Sequence, residues 1–219
     1  MKKFLALGLM VLAGLGSKAQ KVVSELTLVY DASISSGSAE PRMADALDGS
    51  TTTLFIKGPM SRVEMNSALF SSTTIHDSKS GNAVILREVS GQKLLIRMNA
   101  DNWKEKNKRY QDIQFKNTGE TKNIAGYTCQ KAVATLKDGS NFVVYYTPDL
   151  VPENRNYDYQ FRSLNGLPLE YELNMGKMTI KYTVSKVNLN PVPASKFDIP
   201  KSGYREMTYE ESKKSGSGN

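Results

Sequence analysis

The chain has 219 residues, a formal net charge of +7, one cysteine and one histidine. A single cysteine excludes an intrachain disulfide, and a single histidine excludes a His-based metal cluster or a paired-His catalytic set. The positive charge is modest and dispersed, which gives no case for a nucleic-acid partner.

Residues 1–19 read as a cleaved signal peptide. Lys2 and Lys3 precede an apolar run from Phe4 to Leu15, and Gly16-Ser17-Lys18-Ala19 follows as a small-residue cleavage site. The run is short for a bilayer span, and no cysteine near the cut offers a lipid attachment point. Cleavage is expected after Ala19, and loss of the leader's three lysines leaves a charge of +4. The mature protein is therefore expected in the periplasm or outside the cell, and not as an integral membrane protein. One domain is expected over residues 20–205, with a flexible C-terminal tail over 206–219.

In chain order, residues 21–30 form a first expected strand, with Val22, Leu26, Leu28 and Tyr30 on one face. Residues 31–50 are rich in Ser, Ala and Gly, and within them 40–47 are expected as a short helix, with Pro41 in its first turn and Gly49 past its end. Residues 52–57, 61–66, 72–76, 83–88 and 93–99 then read as a meander of short strands, punctuated by Gly58-Pro59, Lys79-Ser80-Gly81 and Ser90-Gly91-Gln92. Asn102 and Glu105 have capping-box spacing, so a basic helix is expected from there to about Arg109, anchored by Trp103.

Strand structure resumes at Ile113 and leads into a hairpin over residues 123–146, turning at Asp138-Gly139. Residues 156–161 place Tyr157, Tyr159 and Phe161 on one face of an expected strand. Residues 167–173 and 177–187 form a second hairpin, and the Pro-rich residues 190–204 an extended strap over the sheet. The fold class is mainly β (α+β): a strongly curved antiparallel sheet or incomplete β-barrel with one or two short helices.

Ile124-Ala125-Gly126-Tyr127-Thr128-Cys129-Gln130-Lys131-Ala132, Tyr146-Thr147-Pro148-Asp149, Gly166-Leu167-Pro168-Leu169-Glu170 and Phe197-Asp198-Ile199-Pro200, taken as an ordered set, resemble an uncharacterised exported family of Bacteroidota-type bacteria. Its relatives often carry a GLPG-like (GLPGLI-like) element at the third of these positions. The resemblance implies a relation to the LolA/LolB-like lipoprotein carriers, and so a half-barrel whose concave face is covered by helices. It transfers no functional residues.

No catalytic, cofactor or metal set assembles from these residues, so the chain is expected not to be an enzyme and to need no cofactor. His76 reads as a strand end at a turn, and Cys129 as a core residue. One functional reading is a binding protein for an apolar small molecule or lipid, held in the concave face by Leu54, Ile56, Met65, Ile96, Met98 and, from the lid helix, Met43. Ordinary core filling by the same residues is the competing account. The other reading is an envelope scaffold with a self-filled core, gripping an envelope protein or glycan through a strand edge or a patch of Tyr157, Tyr159 and Arg155.

Overall fold

The computed structural model describes residues 20–36, 47–175 and 178–215. A short β1 (Lys21–Val23) breaks at Ser24 before the long β2 (Glu25–Ser36). The break shifts the burial phase. Val22 is exposed and Val23 is buried, the reverse of the single-strand expectation. The meander follows as β3 (Thr51–Lys57), β4 (Met60–Asn66), β5 (Phe70–Asp77), β6 (Ala83–Val89) and β7 (Gln92–Met98).

The first described helix, α1 (Ala100–Lys106), starts three residues earlier than its sequence signal suggested. Asn99 is the N-cap, and Asn102 sits at the third helical position, closing a reciprocal capping box. A 3-10 turn over Lys108–Tyr110 completes the crossing to β8 (Gln114–Ile124). The central hairpin is β9 (Tyr127–Thr135) and β10 (Asn141–Thr147), with Gly139 at φ 80° supplying the left-handed turn residue. A short β11 (Leu150–Pro152), β12 (Leu167–Met175), β13 (Met178–Asn188), β14 (Arg205–Thr208) and α2 (Tyr209–Lys214) complete the chain.

Twelve strands form one sheet in the order β14-β7-β6-β5-β4-β3-β2-β13-β12-β10-β9-β8. Within it every pairing is antiparallel except β14 with β7, and β1 pairs separately with β11, also in parallel. The sheet is a large curved open one, not a closed barrel. Cross-strand partners share a face, so the register traces its inner surface: Leu26 opposes Ile56, Ile56 opposes Ser61, Ser61 opposes His76, His76 opposes Ala83 and Ala83 opposes Met98. Because α1 leaves β7 near one edge and the chain re-enters the sheet at β8 on the other, the helix and its 3-10 turn span the mouth of the bowl.

The main core gathers Leu26, Leu28, Leu54, Ile56, Val144 and Leu169, and a second cluster gathers Ala83, Ile85, Ile96, Met98, Trp103 and Tyr209. The strap behaves as the prolines suggest: the Lys196 carbonyl accepts from Arg62 Nη1 at 2.9 Å, and the Lys196 ammonium lies over the Phe55 ring. Gly166 has a packing reason. A Cβ there would collide with the Thr147 carbonyl oxygen, so β12 can enter against β10 only with glycine at this position.

Two expectations are overturned. Residues 156–161 are not a strand: Asn154 Oδ1 accepts the Asn156 N–H and Asp158 Oδ1 accepts the Gln160 N–H, folding the segment into a 3-10 turn (Arg155–Tyr157) and tight bends. The tail expected to be free from residue 206 instead adds β14 and then α2, which has its own capping box between Thr208 and Glu211. The helix expected over 40–47 lies almost wholly outside the described residues.

Candidate functional site

Under α1 the concave face is not closed. A half-open cavity of about 220 Å3 is lined by Ser61 and Val63 of β4, Thr74 and His76 of β5, Trp103 and Asn107 of the α1 crossing, Tyr110 of the 3-10 turn, and Tyr157, Asp158 and Gln160. Four chain segments meet here. β4 and β5 place Ser61 and His76 side by side through their pairing. The capping box at Asn99 sets where α1 begins, and so delivers Trp103 over His76, with ring centroids 4.8 Å apart and planes 25° from parallel. Tyr159 meets Trp103 edge-on. The Ser61 hydroxyl donates to the Tyr157 carbonyl at 3.1 Å and Asn154 Nδ2 to the Pro59 carbonyl at 3.0 Å, pinning the 3-10 turn to the rim.

The polar chemistry distinguishes this cavity from other hollows. His76 Nδ1, Trp103 Nε1, Tyr157 Oη and Gln160 Nε2 are all buried without a hydrogen-bond partner, and all four residues line the cavity. Each such atom normally costs about 1–3 kcal/mol when left unpaired, and native interiors leave few of them. Two others, Ser50 Oγ and Thr52 Oγ1, lie elsewhere. A larger groove under the strap, about 420 Å3 and lined by Arg62, Glu64, Lys196 and Asp198 among others, is more open. Its Arg62 and Glu64 already satisfy each other at 2.6 Å.

Burial sets the charge states. It lowers the His76 imidazole to about 4 despite the opposing pull of Asp77, so the ring is neutral at pH 7. It raises the Asp158 carboxyl to about 6 against the hydrogen bond from the Gln160 N–H, and it holds the Tyr157 phenol well above its usual range. Among the described residues lining the cavity, Asp158 is the one carboxylate, and none is a lysine or arginine.

The apolar residues singled out from sequence fill the core, as the competing account has it, and do not line the cavity. The register puts Leu54, Ile56, Met65, Ile96 and Met98 all on the inner face. However, Leu54, Ile56, Ile96 and Met98 are buried within the two apolar clusters, and Met65 packs against the first. None of the five lines the cavity. Met43 lies outside the described residues. The aromatic patch is not a continuous surface, and Tyr159 and Arg155 are half-buried. Tyr157 is buried, Tyr159 packs on Trp103 beneath the Arg162 guanidinium, and Arg155 donates to the Leu164 carbonyl at 2.7 Å. Cys129 is buried, and that burial pushes its thiol up to about 11, away from reactivity.

Sequence reasoning passed over His76, Trp103, Asp158 and Gln160 as a set. His76 was read as a turn residue and Trp103 as a simple anchor. The one legible signal was that each of these two is the sole residue of its type.

The family described as Domain of unknown function (DUF4412) matches residues 42–152, half of the chain. The match takes in the cavity residues from Ser61 to Tyr110 and stops before Tyr157. No curated protein matches the sequence. Among solved structures, the chain is similar to PNGF-II in two crystal forms, at 15% identity and TM-scores of 0.52 and 0.53, over 87% and 88% of this chain and 32% and 33% of those chains. It thus spans about one third of the length of those structures, and the likeness is one of fold. MucB, at 14% identity, covers 81% of this chain and 58% of that one with a TM-score of 0.37, too low to bear on function.

Proposed function

We propose that this chain, which belongs to that family of domains of unknown function, is an exported binding protein that holds a small ligand under α1, by hydrogen bonding more than by apolar burial. One observation carries the reading: four residues that line one cavity each hold a buried polar atom without a hydrogen-bond partner in the protein. A fold keeps such a cost where a bound water, ion or ligand removes it, and a cavity beside these residues has room for one. At about 220 Å3 the space falls below the roughly 300–1,000 Å3 typical of drug-sized ligands. One compact ring fits it better than a long acyl chain. The leader-like residues 1–19 support export to the periplasm or beyond.

The test is native mass spectrometry of protein purified without denaturation from the exporting cell. Wild type is expected to carry a small adduct that denaturation releases and that is missing from a Tyr157→Phe, Gln160→Leu double variant. An adduct kept by the double variant, or a lipid adduct on both, overturns the reading.

A further inference from the structure

The donor and acceptor inventory of the cavity narrows the ligand. Trp103 Nε1 is a donor only, and Gln160 Nε2 carries two donor hydrogens; both are unpartnered. Both atoms are covered in the free protein, so an occupant that draws them toward the cavity and pairs with both must present at least two acceptors. The Tyr157 hydroxyl and His76 Nδ1, also unpartnered, can each donate or accept. Asp158, on the same lining, accepts when ionised and so asks for a donor.

Three ligand classes can be set against this list. An anion would satisfy the indole and the amide, but it would face the Asp158 carboxylate with no lysine or arginine among the described lining residues to compensate. An ammonium ion would suit Asp158, but it has no lone pair to offer Trp103 Nε1 or Gln160 Nε2. An acyl chain would leave all four polar atoms unpaired. A hydroxyl group both donates and accepts, so several hydroxyls on one ring can satisfy every member of the set. His76 covers one face of the Trp103 ring and Tyr159 meets the ring edge-on, so the indole N–H is the polar contact this residue offers.

We infer that the cavity under α1 binds a single neutral polyol ring, such as a monosaccharide unit or a cyclitol, through the Trp103 indole N–H, the Gln160 amide, the Tyr157 hydroxyl and the Asp158 carboxylate. The inference rests on the binding reading above and names its ligand class. Because the cavity is half-open, the ring is either a free molecule or the terminal unit of a longer glycan.

Trp103 is the protein's one tryptophan, so its emission reports the site directly. The experiment titrates full-length mature protein with D-glucose, D-galactose, N-acetyl-D-glucosamine, methyl glycosides of these, myo-inositol, acetate, inorganic phosphate, ethylamine and laurate, following Trp103 fluorescence and calorimetric heat. At least one polyol is expected to saturate both signals. Loss of one neutral hydrogen bond in Tyr157→Phe is expected to weaken it about five- to tenfold. Gln160→Leu tests the amide independently should either variant fold poorly. An oligosaccharide bearing the preferred ring at its end, binding more tightly than the free ring, identifies a glycan terminus; equal or weaker binding identifies the free molecule. Saturation by acetate, phosphate, ethylamine or laurate with no response to any polyol overturns the polyol inference and leaves a binding site of another class. No response to any probe, with polyols also failing to protect Trp103 from acrylamide quenching, overturns both.

Discussion

Tyr157→Phe removes one buried oxygen atom from a residue that lines the cavity and nothing else. The tyrosine is buried, its hydroxyl has no partner, and the ring packs in the main core. Leaving that hydroxyl unpaired costs about 1–3 kcal/mol, while phenylalanine keeps the packing of the ring. Allowing for a cavity enlarged by one atom, the ligand-free variant is expected to be more stable by about 1 kcal/mol, a rise in Tm of about 2–4 °C for a chain of this size. The same substitution is expected to weaken ligand binding, so stability and binding move in opposite directions. Urea unfolding followed by Trp103 emission gives the stability, and a matched m-value confirms that the unfolded state has not changed. A loss of 1 kcal/mol or more would mean that the hydroxyl is already paired in the free protein, and the argument from unpartnered atoms would fail at its strongest member.

Three further outcomes are expected. For Asp158, raised from 3.8 to about 6, the stabilising contribution is fully present below the ordinary carboxyl range and is lost as pH rises through 6. For His76, lowered from 6.5 to about 4, it is present above 6.5 and lost as pH falls through 4. The two slopes oppose between pH 4 and 6, so wild-type stability should be nearly level there. Asp158→Asn should uncover a loss of about 2 kcal/mol on acidification, and urea titrations across this range that stay flat in the variant would contradict it. Gly166→Ala drives a Cβ into the Thr147 carbonyl and the Tyr146 ring and should destabilise by about 1–3 kcal/mol; a Tm unchanged by calorimetry would refute the close approach. Truncation after Tyr204 removes β14 and α2, strips Tyr209 from the Met98 and Trp103 cluster and breaks the 3.0 Å contact of Lys213 with Glu105. It should lower the Tm and red-shift Trp103 emission, and an unchanged spectrum would make the tail the free segment its composition suggests.

The meander was legible because its information is local. Alternation in segments such as Val63-Glu64-Met65 and turn pairs such as Gly58-Pro59 and Asp138-Gly139 each act within a few residues. Tyr157, Tyr159 and Phe161 misled because spacing by two imitates a strand, while the deciding groups were the Asn154 and Asp158 side chains bonding to nearby backbone N–H groups. The tail misled because its Lys, Ser and Gly composition hides a capped helix whose stability depends on landing Tyr209 against α1. The cavity was not legible at all. Its lining comes from residues 61–63, 74–76, 103–110 and 157–160, and only the register of β4 with β5 and the path of α1 bring them together. The apolar inner face could be read as a face, but whether other side chains cover it depends on tertiary packing.

The most direct measurement is a high-resolution crystal structure of the protein purified without denaturation, inspected under α1. The account predicts continuous density for one ring, with oxygen atoms roughly 2.7–3.2 Å from Trp103 Nε1 and Gln160 Nε2. Density for an acyl chain along the Leu54 and Ile56 row, or a collapsed cavity in which those two nitrogens bond to the protein's own carbonyls, would contradict it.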